Sequence, residues 1–224
     1  MKLKIIFITI FLVINSFSQI REVKPFSSFK KGDFEANFST NLGAAFSKNN
    51  VTTTNQYFNY YDSTYTTSKN NSENSSKDYL MLLTASIGYY FVDGLSFEPE
   101  LDINLITDDE ISISILANLT YNFSTSNSKT YPYVKVGYGI SNYVTYNNYF
   151  GGSTDNSLDT QLINTALGIK LASASGSVMR IELNYKYYTN SSSYSYSDQY
   201  NKTTIESESG IDALSIAIGY SILF

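Results

Sequence analysis

Gly210 to Phe224 reads GIDALSIAIGYSILF, and its period decides the fold. Taken two at a time, Leu214, Ile216, Ile218, Tyr220, Ile222 and Phe224 fall on one face. Ala213, Ser215, Ala217, Gly219 and Ser221 fall on the other, with Leu223 the one apolar residue out of pattern. Alternation of this kind is the signature of a strand, and this one is long enough to cross a bilayer. Its apolar face is suited to lipid. In lipid, however, an open strand edge leaves backbone groups unpaired. A closed barrel meets both demands.

The pattern repeats upstream. Asp33 to Phe46, Asp78 to Phe91, Leu95 to Leu105, Ile111 to Phe123, Tyr131 to Val144, Asp159 to Leu171 and Val178 to Thr189 alternate in the same way. With Gly210 to Phe224 they make eight strands. Val92-Asp93-Gly94 is a tight turn, because Asp-Gly accepts the left-handed backbone of a two-residue hairpin. Pro99 interrupts its strand, since it has no N–H for the ladder, and predicts a bulge or irregularity there. Segments 47–77, 145–158 and 190–209, rich in Asn, Ser, Thr and Tyr, read as long loops, with Gln56 to Tyr65 able to extend a hairpin above the membrane. Segments 92–94, 124–130 and 172–177 are short. An even strand count puts the short turns on the side of the termini and the long loops opposite, as in membrane barrels.

A soluble sandwich or barrel also alternates, but its polar face points to water and its apolar face inward. Here the apolar face is continuous over eight segments, while the other face collects charge and amides. The reading is therefore all-β: an eight-stranded antiparallel up-and-down transmembrane β-barrel with a polar, side-chain-filled interior. Phe34, Phe46, Tyr89, Phe91, Tyr121, Phe123, Tyr220 and Phe224 lie near strand ends, where rings girdle a barrel at the membrane surfaces.

The inward rows hold five acids, Glu35, Glu98, Glu100, Asp102 and Glu182, and four bases, Lys135, Lys170, Arg180 and Lys186. Charges in a narrow lumen have to be paired or hydrated. The acids at positions 98, 100 and 102 neighbour only Ser112, Ser114 and Asn118, so the bases are expected to reach them from across the lumen. The arrangement predicts an interlocked structural network, with a narrow ion or proton path as the alternative.

The 224-residue chain has no Cys, His or Trp but 21 Tyr and 14 Phe. Lys2 and Lys4 precede an apolar run from Ile5 to Ile14, with Ser16 and Ser18 spaced for cleavage before Gln19. Residues 1–18 thus read as a secretory signal, 19–32 as a short periplasmic leader too short for a plug, and 33–224 as the barrel. Removing Lys2 and Lys4 leaves 13 bases against 20 acids, about −7. That balance argues against a nucleic-acid partner.

Without His or Cys, a Ser–His–Asp triad, a Cys–His pair and the usual zinc site are all excluded. The chain is expected to be no enzyme, and to hold no cofactor or metal. Asp108, Asp109 and Glu110 read as a solvated turn, with loose contact to a divalent cation as the other possibility. The tyrosines among Ser, Gly and Asn in the long segments (Tyr57, Tyr60, Tyr61, Tyr65, Tyr146, Tyr149, Tyr194, Tyr196 and Tyr200) are suited to adaptable contacts with an unidentified surface ligand. Loops that merely cover the barrel mouth are the plainer reading.

On these patterns the chain resembles the small eight-stranded outer-membrane β-barrel proteins, the OmpA-transmembrane-domain, OmpX and opacity-protein-like families. The SFSQ of the signal and the Asn-, Ser-, Tyr- and Lys-rich composition are similar to members from Bacteroidota. The resemblance spans 33–224. It implies a place in the outer membrane of a Gram-negative cell, both termini periplasmic, among lipid and lipopolysaccharide. The ending Ala217-Ile218-Gly219-Tyr220-Ser221-Ile222-Leu223-Phe224 is similar to the families' assembly signal, in which Gly219, Ile222 and Phe224 are read by the barrel-assembly machinery. Ala217 departs from the polar residue usual at its position. Family roles include structural anchor, adhesin and host-factor binder; the deacylase-like members use a His–Ser pair that this chain cannot form. Two roles stay open: a structural or surface-binding protein, and a narrow porin-like channel.

Overall fold

The structure, a computed structural model, describes residues 28–59, 61, 63–105, 111–125, 129–142, 160–173, 176–198 and 200–224. Among these, eight antiparallel strands follow one another in chain order: β1 (Phe34–Asn59), β2 (Thr64–Val92), β3 (Leu95–Leu105), β4 (Ile111–Asn122), β5 (Thr130–Ser141), β6 (Thr160–Ala172), β7 (Ser177–Ser197) and β8 (Asn201–Leu223). Each pairs with its neighbours in sequence, and β8 pairs with β1 to close the barrel. Closure satisfies the backbone groups that an open edge would leave bare in lipid. The seam extends past the last strand residue: Phe34 and Phe224 each donate a backbone N–H to the other's carbonyl, at 2.9 and 3.0 Å.

The inward row is buried and the outward row is not. On β8, Ala213, Ser215, Ala217, Ser221 and Leu223 are buried, while Leu214, Ile216, Ile218 and Tyr220 are exposed. Similar rows of exposed Ile, Leu, Val and aromatics run round the other strands. From Leu214 to Phe224 the row covers about ten residues, the length that a tilted strand needs for the hydrocarbon core. Phe34 packs against Tyr89 (4.9 Å between centroids) and Phe224 (5.9 Å), and Tyr121 against Phe123 (4.9 Å), forming aromatic contacts at the terminal rim.

One sequence expectation is corrected and one holds in part. Segments 47–77 and 190–209 are not loops: β1 and β2 stay paired out to Asn59↔Thr64, and β7 and β8 out to Ser197↔Lys202. β1 and β8 also stay paired, out to Tyr57↔Asn201. The register does not shift anywhere along these three ladders, so β2-β1-β8-β7 continue above the barrel as one four-stranded sheet. Pairing below hands its register to the residues above, and a sheet with water on both faces needs no apolar alternation to show it. The Thr and Tyr content suits a pleated surface all the same.

The expectation at Pro99 holds in part. Register is the same on either side of it (Ser86↔Glu100 and Tyr89↔Phe97) and Pro99 pairs with Ala117 of β4, so there is no bulge, but the ladder to β2 lapses between those two pairs. The register shift falls instead at the turn, between Tyr90 and Val92. There Gly94 takes a φ of 76°, left-handed as its turn requires.

The leader also meets the barrel. Its backbone bonds to the β2–β3 turn (Gly94 N–H to Phe29 O, 3.0 Å; Lys31 N–H to Asp93 Oδ1, 2.8 Å) and buries Phe29 in the terminal mouth of the barrel. Segments 1–18 and 145–158, with Asp108, Asp109, Glu110, Tyr60, Tyr146 and Tyr149, lie outside the described residues.

Candidate functional site

The lumen is layered. At the terminal end Phe29, Tyr90, Tyr131, Ala172, Val178 and Leu223 form an apolar cluster. Phe29 stacks on Tyr90 (5.2 Å) and meets Tyr131 edge-on (5.0 Å). At the far end Leu80, Leu82, Leu116, Leu162, Tyr188 and Ile211, with Ala45 and Ala213, form a second. Periodicity shows these residues as breaks in a polar row, and nothing local shows that the breaks from different strands meet at two levels.

Between the clusters lie all nine of the charged residues named from the sequence, each nearly or fully buried. Lys170 Nζ sits 2.7 Å from Glu35 Oε2, donates to Tyr90 Oη at 3.1 Å, and stands 4.7 Å from the Phe29 ring centroid. Arg180 lies at 3.4 Å from both Glu98 and Glu182, and at 3.6 Å from Glu35. Lys135 joins Glu100 (3.2 Å) to Glu182 (3.0 Å). Lys186 joins Glu100 (3.1 Å) to Asp102. The bases come from β5, β6 and β7, and most of their acids from β1 and β3 across the lumen.

Neutral groups complete the network. Tyr133 Oη donates to Glu182 (2.5 Å), Tyr90 Oη to Glu35 (2.6 Å), Thr84 Oγ1 to Asp102 (2.5 Å) and Asn118 Nδ2 to Glu100 (3.1 Å). The Tyr133 ring lies flat against Gly168, where an added Cβ would come within 2.5 Å of it. Tyr90, Tyr133 and Thr84 were missing from the site read in the sequence, while Asn118 was read there as a neighbour of the acids. Inward Tyr on two strands was the available signal.

The arrangement pairs charge across the lumen between two apolar layers. Glu98 and Glu100 are each engaged by cations or amides. Among the described residues no group of three His, Cys, Asp or Glu is placed to hold a metal ion.

Gly219, Ile222 and Phe224 sit on the β1–β8 seam. Gly219 has a packing role of its own: a Cβ there would meet Ser39 Cβ at 2.8 Å and Phe38 O at 2.9 Å. Ile222 and Phe224 face outward and are part-exposed.

The second candidate is the projecting sheet. The row Lys77-Phe46-Asp212-Tyr187 crosses four strands at one level on the outer face. One row nearer the membrane, Tyr79, Ala44, Leu214 and Tyr185 carry no charge. Tyr185 Oη donates to Asp212 at 2.5 Å, and Lys77 Nζ lies 5.8 Å from the Phe46 ring. Rings reaching up to charges mark a membrane boundary. From Phe46 to Asn59, β1 runs thirteen residues beyond that row, roughly 40 Å along the strand. Tyr57, Tyr65, Tyr194, Tyr196 and Tyr200 are all exposed on this sheet and its tip, as is Tyr61 in the β1–β2 turn.

No protein-family profile matches the chain, and no curated protein matches it. Solved structures that resemble it include an outer membrane protein, a surface protein and a β-barrel domain. OprG from Pseudomonas aeruginosa has 15% identity and a TM-score of 0.46, over 89% of this chain and 99% of that one. Neisserial surface protein A has 14% and 0.42, over 80% and 97%. The N-terminal barrel domain of Pseudomonas aeruginosa OprF has 16% and 0.41, over 80% and 97%.

Proposed function

We propose that this outer-membrane-type barrel is a non-enzymatic surface-binding protein, in which the barrel is the anchor and the projecting sheet the contact surface. The observation that carries the reading is the unbroken register of β2-β1-β8-β7 far beyond the membrane boundary. A sheet with water on both faces buries little apolar area and contributes little to barrel stability. What it adds is a stiff, extended surface with exposed tyrosines, which lose little conformational entropy on contact. The layered, charge-paired lumen supports an anchor over a narrow channel. Reconstituted in a planar bilayer, the protein is expected to be silent, and stable openings would favour the channel.

The same proposal has outer-membrane lipid and lipopolysaccharide around the belt, and the barrel-assembly machinery reading Ile222 and Phe224, with Gly219, during insertion. A Phe224→Asp chain that reaches normal barrel levels would remove that last part.

The test of the main reading deletes 48–75 and 191–208, each closed by Asn-Gly. The barrel should remain heat-modifiable in gels, and attachment of expressing cells to abiotic surfaces and to other cells should fall to the vector level. An intact barrel with unchanged attachment would refute surface binding.

A further inference from the structure

The two faces of the projecting sheet differ in charge. Side chains alternate without a register shift, so the face lining the lumen below continues upward as one surface, and so does the lipid-facing one. Above the membrane boundary the lipid-side face becomes charged, with Lys48, Lys69, Glu73, Lys202, Glu206 and Glu208. Between Asp78 at its base and Asp198 at its tip the lumen-side face carries no charge: on β2 from 64 to 76, β1 from 47 to 57, β8 from 201 to 209 and β7 at 190, 194 and 196, the residues of that parity are Asn, Ser, Thr, Val, Ile or Tyr. Both faces stand in water, so solvation does not explain the difference.

We infer that this charge-free face binds an uncharged glycan, an inference that rests on the surface-binding reading above. Three features point to that ligand class. Tyr194 and Tyr196 stand two residues apart on β7, on this face, 65% and 59% exposed, and Tyr57 of β1 shares the face. Such rings offer the flat apolar surface on which the C–H face of a sugar stacks. Between them the face presents amides held in place across strands: Thr203 Oγ1 donates to Asn55 Oδ1 (2.9 Å) and Ser207 Oγ to Asn49 Oδ1 (3.2 Å). Pre-set amides pair with sugar hydroxyls at little further cost in ordering. Third, a phosphate, sulfate or uronate would find no cation on this face, and a cation would find no carboxylate between Asp78 and Asp198. An apolar peptide would strand the row of amides and hydroxyls unpaired.

The test uses the full chain in nanodiscs over immobilised dextran, mannan, amylose and laminarin, with heparin and polygalacturonate as charged polymers. At least one neutral polymer should retain the protein, equally from about 0.05 to about 0.5 M salt, since no ion pair is screened. Tyr194→Ala with Tyr196→Ala, on an exposed edge strand and checked for heat-modifiability, should weaken retention roughly tenfold or more. Tyr65→Ala, on the opposite face, should leave it unchanged. The inference is overturned if no neutral polymer is retained, if a charged polymer is retained better, if the double variant binds like the parent, or if the sheet instead pairs one nanodisc with another. Loss of attachment on deleting the sheet, with an inactive polymer panel, would sink the glycan alone; unchanged attachment on deletion would sink the parent reading.

Discussion

Replacing Lys186 with Met tests whether the lumen is held by its ion network. Lys186 is almost fully buried and bridges Glu100 and Asp102, two acids of one strand. Five acids face four bases, so this change leaves five against three. Glu100 would keep Lys135 at 3.2 Å and Asn118 at 3.1 Å, but Asp102 would keep only the Thr84 hydroxyl. Removing one partner of a buried pair costs about 3–5 kcal/mol, because the other charge stays buried without compensation. With a denaturant slope of about 1–3 kcal/mol/M, the urea midpoint should fall by roughly 1 M or more. Asp102→Asn should cost far less, about 1 kcal/mol, because it removes the surplus acid and can keep the Thr84 bond. The double variant should be more stable than Lys186→Met alone, with a coupling above about 1 kcal/mol. The assay is urea unfolding of the refolded barrel in detergent micelles, followed by intrinsic tyrosine fluorescence and gel mobility. A midpoint for Lys186→Met unchanged from the parent, or costs that simply add in the double variant, would refute the argument. The exposed pair Lys48–Glu73, 59% and 63% accessible, is the control; breaking it should cost between zero and about 1 kcal/mol.

Leu183 faces lipid midway along the β7 belt, and Leu183→Arg should cost about 2–4 kcal/mol in folding into bilayers, whereas Ser207→Arg on the projecting sheet should be close to neutral. Gly137→Ala places a Cβ 1.9 Å from Asn118 Oδ1, so Asn118 must leave Glu100 or the strands must part; unfolding should be easier by about 1–3 kcal/mol. Phe29→Ala should cost about 3 kcal/mol and make deuterium exchange faster at Tyr90 and Val178, next to the emptied mouth. Asp198, at the β7–β8 tip, accepts from the backbone N–H of Tyr200 and from the side chain and backbone of Asn201, which hold its carboxyl below the ordinary range. Its contribution to tip order is therefore present above the ordinary aspartate pKa and lost as pH falls through the lowered one. Carbon NMR of the carboxyl should show that depressed midpoint, and an ordinary one would contradict the turn.

The membrane part of the barrel was legible because lipid imposes one rule on every strand. Outward residues must be apolar, so Leu214 to Phe224 and seven other segments declare their period and their end. The ion network was legible as a list for a related reason: a charge inside so narrow a wall has to meet its opposite. Its pairing was not. Lys170 with Glu35 and Lys186 with Glu100 are 135 and 86 residues apart, and shear and closure decide which inward residues share a level.

The projecting sheet was hidden for the opposite reason. With water on both faces, 47–77 and 190–209 carry no hydropathy signal, and the composition that suits a strand here also suits a loop. Pairing inherited from below makes those segments strands. Phe29 shows the same division: its ring was visible in the leader, and only the turn of the backbone over Gly94 places it in the mouth. The sequence by itself determined the period, the two-sidedness and the roster of inward charge, because these follow from what each residue tolerates next to lipid. The tertiary structure decided the partners, the two apolar layers and the charge-free sheet face, because these depend on which strands closure and register bring side by side.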